Sequence, residues 1–133
     1  MEMFKKPLIC LIIFLCIPVW VFAHEWMAPK KDSLIENPVK RDALSIGLGQ
    51  TIFSQNCVGC HGEDAKGINP ETSGLELRPP DLTMSIKSHS DGDFFWKIRT
   101  GRDEMPSFKE DLGSKEIWSI IHFIRSLGAN SGS

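Results

Sequence analysis

Apolar and polar positions follow one clear pattern near the start of the chain, another at its end, and little order between. Residues 8–22 form a nearly unbroken apolar run behind Lys5 and Lys6, and Val21-Phe22-Ala23 closes it with the small-residue signature read by a signal peptidase. The run is short for a bilayer-spanning helix, which needs roughly 20 residues, and Pro18 interrupts it, so residues 1–23 are expected to be a cleaved export signal rather than a retained anchor. At the other end Ile117, Ile120, Ile121, Ile124 and Leu127 recur at helical spacing, with Ser114 placed to cap the helix and Gly128 to stop it. On that helix His122 falls nearly opposite the centre of the apolar face, which predicts a solvated side chain.

Two further helices are predicted. The first runs from about Asp42 or Ser45, either of which can cap it, to Asn56, with Gly49 and Phe53 on one face. A glycine inside a helix costs about 1 kcal/mol against alanine, so Gly47 and Gly49 together point to close approach by another helix. The second starts at Ser90, with Asp93 at the third helical position, presents Phe94, Phe95 and Ile98, and ends at Gly101. Residues 24–41 are polar, carry Pro29 and Pro38, and read as an extended lead-in. Its opening, His24-Glu25-Trp26-Met27, is either a plain tether or a segment that folds back on the domain or touches a partner. Residues 62–88 are rich in Gly, Pro and Ser and read as an irregular loop, and residues 129–133 as a polar tail. No stretch alternates as a strand and no repeat is visible, so one all-α domain is expected over residues 42–128.

Loss of residues 1–23 would leave 110 of the 133 residues, enough for one core, and would move the formal charge from −2 to −3 as Lys5, Lys6 and Glu2 depart. There is no basic stripe for nucleic acid. Cys10 and Cys16 would leave with the export segment, so Cys57 and Cys60 are the two thiols of the mature chain.

Those two thiols carry the chemistry. Cys57-Val58-Gly59-Cys60-His61 is the attachment sequence for c-type haem: each thiol can add across a porphyrin vinyl group, and His61 can reach the iron. A structural zinc site would need four ligands, and no cysteine follows residue 61. A thioredoxin-like dithiol would follow a strand in a βαβ unit, whereas a helix precedes Cys57. A chain this small would rely on its cofactor to complete the core.

With Gly49 and Phe53 before the motif, Cys57, Cys60, His61 and Gly62 in it, then Arg78-Pro79-Pro80-Asp81-Leu82-Thr83, Met105-Pro106, and a last helix bearing Trp118, Phe123 and Leu127, the chain resembles a class I cytochrome c over residues 42–128. The resemblance implies a small all-α fold whose first and last helices cross around one covalently attached haem c, with Gly49 admitting Phe123 or a neighbouring side chain. It places the second iron ligand at Met105. Met84 is the runner-up, and Met27, His24, His89 and His122 are the remaining candidates; His89, in a polar run, reads as surface. It also implies that His61 donates its other ring N–H to the carbonyl of Pro79 or Pro80, and that Arg78, Trp96, Arg99 and Arg102 are candidates to hold the haem propionates.

The function implied is that of an exported, periplasmic carrier, not an enzyme, passing single electrons between a donor and an acceptor protein by outer-sphere transfer. The alternatives are a haem-bearing subunit of a larger membrane or periplasmic oxidoreductase, membrane-associated if residues 1–23 are retained, and a haem sensor or peroxidase whose sixth position opens.

Overall fold

The computed structural model describes residues 26–130. The expected export segment, His24, Glu25 and the last three residues of the expected tail lie outside the described residues. Among the described residues seven helices follow one another: α1 (Lys30–Ser33), α2 (Ala43–Asn56), α3 (Val58–His61), α4 (Pro70–Ser73), α5 (Leu82–Ser88), α6 (Asp91–Thr100) and α7 (Ser114–Asn130). Among the described residues there is no strand, only an isolated bridge between Arg102 and Met105. The chain is all-α, as its hydrophobic spacing predicts.

Asp42 caps α2 reciprocally: its carboxylate accepts from the Ser45 amide at 2.9 Å, and the Ser45 hydroxyl accepts from the Asp42 amide at 3.1 Å. From there α2 crosses α7 at Gly49. A Cβ on Gly49 would lie 1.9 Å from the Ser119 carbonyl oxygen, so what the glycine admits is the backbone of α7 rather than a side chain. One turn on, the Phe53 and Phe123 rings meet at 5.4 Å. Ile52, Ile117, Ile120, Ile121 and Ile124 complete a buried core, with Phe94 and Ile98 joining it from α6.

Several expectations are corrected. α7 does not stop at Gly128 but runs to Asn130; Gly128 is buried, and a Cβ there would lie 2.9 Å from Ile86 Cγ2, so its smallness serves the packing of α5 on α7. Ser114 is the first helical residue rather than the cap, and the Glu116 carboxylate accepts from the Gly113 amide at 2.6 Å. Residues 62–88 are not one irregular loop: Asn69 and Asp81 cap the short helices α4 and α5. Finally, His122 is only 5% exposed, because residues 34–41 are laid over the polar side of α7 and Val39 places its carbonyl 2.7 Å from His122 Nε2. That lead-in also holds α1, with the Asn37 amide donating to the Trp118 carbonyl, so it is packed rather than a plain extended tether.

Candidate functional site

The thiols sit where α2 gives way to α3. The Cys57 amide still bonds to the Phe53 carbonyl at 2.8 Å, and one further turn brings the Cys60 and His61 amides onto the Cys57 carbonyl. Gly62, at φ 75°, then turns the chain away, and Gly67 and Ile68 return their amides to the carbonyls of His61 and Cys60. Cys57, Cys60 and His61 thereby share one wall of a cavity of about 440 Å³, within the range of small-molecule and cofactor sites. Phe53, Phe94, Ile98, Ile120 and Ile124 supply apolar walls, and the Arg78-Pro79-Pro80 loop another side.

Met105 lines the same cavity. It is held by a tight turn in which it trades backbone hydrogen bonds with Arg102. Met27 and Met84 are 51% and 59% exposed and do not line the cavity, and neither does His122. His89 does, against the expectation of a surface residue: it is buried, with Nδ1 2.9 Å from an oxygen of Asp93. Asp93 itself is 1% exposed and pairs also with Lys97, another lining residue.

Arg78 and Arg102 reach the cavity; Arg99 and Trp96 do not line it. Arg78 spends its Nε on the Gly67 carbonyl at 3.1 Å, which ties the proline loop to the turn after the thiols. Trp96 stands behind Trp26, ring centroids 6.2 Å apart, and Trp26 is the lining residue. The sequence offers folding-back of the segment bearing Trp26 as the alternative to a plain tether, a tryptophan being unusual in a simple linker, but nothing in a polar, proline-bearing segment signals which wall it will cover.

Burial lowers the pKa of His61, so its ring is neutral and a nitrogen lone pair is available to a metal. Its Nδ1 is buried without a hydrogen-bond partner, so the bond expected to Pro79 or Pro80 is not made. The Pro79 carbonyl is instead pressed against Gly67, where a Cβ would lie 2.2 Å from it. Burial, reinforced by Cys60, pushes the Cys57 thiol up to about 11, which keeps it a thiol at neutral pH and unsuited to disulfide exchange. Among the described residues no three His, Cys, Asp or Glu side chains gather as a metal-binding group. A mostly apolar cavity bearing two thiols, a neutral imidazole and a thioether, with one buried ring nitrogen orphaned, fits haem c.

Residues 45–124 match the family described as cytochrome c oxidase, cbb3-type, subunit III. Over 98 residues the chain is 35% identical to the cbb3-type cytochrome c oxidase subunit CcoP of Rhodobacter capsulatus, covering 65% of this chain and 31% of that protein. It is 26% identical over 97 residues to cytochrome c550 of Pseudomonas aeruginosa, covering 68% and 61%. Among solved structures, cytochrome cL from Methylophaga aminisulfidivorans superposes with a TM-score of 0.52 at 29% identity, over 64% of this chain and 56% of that one. The chain spans about a third of the length of the oxidase subunits it matches.

Proposed function

The chain belongs to the class I c-type cytochromes, with a domain of the cbb3-type oxidase subunit III family, and on that footing we propose that it relays single electrons as a haem-bearing subunit of a larger oxidoreductase. The observation that carries this reading is the gathering of Cys57, Cys60, His61 and Met105 on one cavity. Bound haem c would supply an iron that gains and loses one electron at a time. Cys57 and Cys60 would hold it through thioethers. His61 would give the iron a neutral nitrogen, and Met105 a soft sulfur that favours the reduced state. The apolar walls would exclude water from the bound group, and Arg102, whose Nε donates to Asp103, would have its remaining guanidinium N–H groups for the haem carboxylates.

A subunit is favoured over the freely diffusing carrier expected from the sequence by the family match and by the several oxidase subunits among the relatives. The partners are then redox subunits of the same assembly on the periplasmic side. The likeness to cytochrome c550 supports the carrier as the second reading. No helix among the described residues is long and apolar enough to cross a membrane.

The test is expression of the full chain in a host competent in cytochrome maturation. Wild type should carry the added mass of one haem through denaturation, and Cys57→Ala/Cys60→Ala should not. In its native host it should co-purify with an oxidase assembly. A bare polypeptide mass for wild type overturns the haem reading, and a haem-bearing protein that purifies alone selects the carrier.

A further inference from the structure

Trp26 lies outside residues 45–124 that match the family, yet it lines the cavity. The segment bearing it is fastened at several points. The Ala28 backbone amide donates to Asp93, the Ser90 hydroxyl to the Ser33 carbonyl, and the Asn37 side-chain Nδ2 to the Trp118 carbonyl; Val39 closes the far end on His122. Gly92 makes the fit possible, since a Cβ there would lie 2.2 Å from the Asp32 carbonyl oxygen and 2.7 Å from that of Ile35, both backbone atoms that cannot step aside. The indole so delivered meets the Trp96 ring, with the Arg102 guanidinium 5.0 Å and the Lys97 ammonium 5.8 Å from its centroid.

We propose that residues 26–41 are a strap whose purpose is to set Trp26 as a wall of the redox cavity, where it raises the reduction potential by excluding water. The inference rests on the haem reading above. Ferric iron carries one more positive charge than ferrous, so water at the wall favours the oxidised state, whereas a dry aromatic face favours the reduced one; Lys97 and Arg102, paired with Asp93 and Asp103, add no net charge there. Removing the ring therefore acts by admitting water, since Lys97 and Arg102 keep their carboxylate partners Asp93 and Asp103.

The experiment is a potentiometric titration, followed by absorbance, of haem-loaded full-length wild type, Trp26→Ala, Trp26→Phe, Gly92→Ala and Trp26→Ala/Gly92→Ala, with haem mass and helicity checked for each. At the potential where wild type is half reduced, Trp26→Ala should lower the ratio of reduced to oxidised protein by about tenfold, the scale on which groups surrounding a metal site act. Trp26→Phe should recover most of that loss. Gly92→Ala, which displaces the strap without touching the indole, should shift the ratio the same way, and the double variant no further. An unchanged ratio in haem-bearing Trp26→Ala overturns the inference, as does a loss additive with that of Gly92→Ala. Wild type without haem overturns the functional reading as well, and is recognised from its mass before any variant is compared.

Discussion

Arg102 and Met105 exchange both of their backbone hydrogen bonds, at 2.9 and 3.0 Å, closing a turn in which Asp103 takes φ 52°. Such a left-handed position is tolerated by aspartate better than by most residues. Just before it, Gly101 at φ 67° lies against the Met105 carbonyl, where a Cβ would be 2.6 Å away. The Met105 side chain therefore reaches the cavity from a tight turn rather than from a helix, which suits the ligand role proposed for it. Met105→Ala is expected to alter the absorption spectrum in both oxidation states and to lower the potential by a sizeable part of the roughly 0.8 V that axial ligands span. It should also let the ferrous protein bind carbon monoxide, whereas Met84→Ala leaves the spectrum as it is. A spectrum unchanged by Met105→Ala would move the ligand elsewhere.

Gly47 and Gly49 lie two residues apart on α2 and should respond oppositely to the same methyl group. Gly49→Ala forces a Cβ into the Ser119 carbonyl and is expected to cost about 2–3 kcal/mol, the scale of overpacking in a core. A Cβ on Gly47 meets nothing within 4 Å, so Gly47→Ala should stabilise by about 0.5–1 kcal/mol through helix propensity alone. Denaturant unfolding of the two variants checks both signs.

The first helix, the helix from Asp91, the apolar face of α7 and the thiol motif were legible because each rests on local chemistry: a cap, a period, a fixed spacing. Gly49 was legible as a close approach, though its partner was not. What could not be read is what one segment does to another. His122 faces away from the apolar stripe of its own helix, yet it is buried, with the carbonyl of the folded-back Val39 at its Nε2. His89 sits in a polar run, and its burial depends on Asp93 one turn later being drawn inward by the Ala28 amide and Lys97. Gly128 looks like a stop signal in sequence because nothing local shows that α5 packs against it.

Asp81 caps α5 by accepting from the Thr83 hydroxyl at 2.6 Å and from the Thr83 and Met84 amides. These bonds, the Thr83 hydroxyl first, hold its pKa below the ordinary 3.8. A carboxylate with a lowered folded pKa contributes stability that is complete above its unfolded value and is lost as pH falls through the folded one. Asp81→Ala should thus be less stable than wild type at pH 6 by about 1 kcal/mol, the usual worth of an N-cap. The gap should narrow on titration from pH 5 towards pH 3, because only wild type loses this contribution. Parallel curves would show that Asp81 does not act through its charge.

Asp93 is the most deeply buried carboxylate at the site, accepting from the Ala28 amide and standing 2.9 Å from His89 Nδ1 and 2.5 Å from Lys97 Nζ. A buried pair costs much of its attraction in desolvation, so its worth lies less in the pair than in the penalty for breaking it. Asp93→Ala leaves the Lys97 ammonium, itself only 12% exposed, without its counter-charge, and is expected to destabilise by about 3–5 kcal/mol. Removing both charges, as in Asp93→Leu/Lys97→Met, should cost clearly less than Asp93→Ala alone, since no ion is then stranded. Lys97→Met alone strands the carboxylate and should resemble Asp93→Ala. Denaturant titration of the three variants decides: equal losses for the single and double changes would mean that Asp93 acts chiefly as the acceptor for Ala28, and that the strap rather than the ion pair is what it secures.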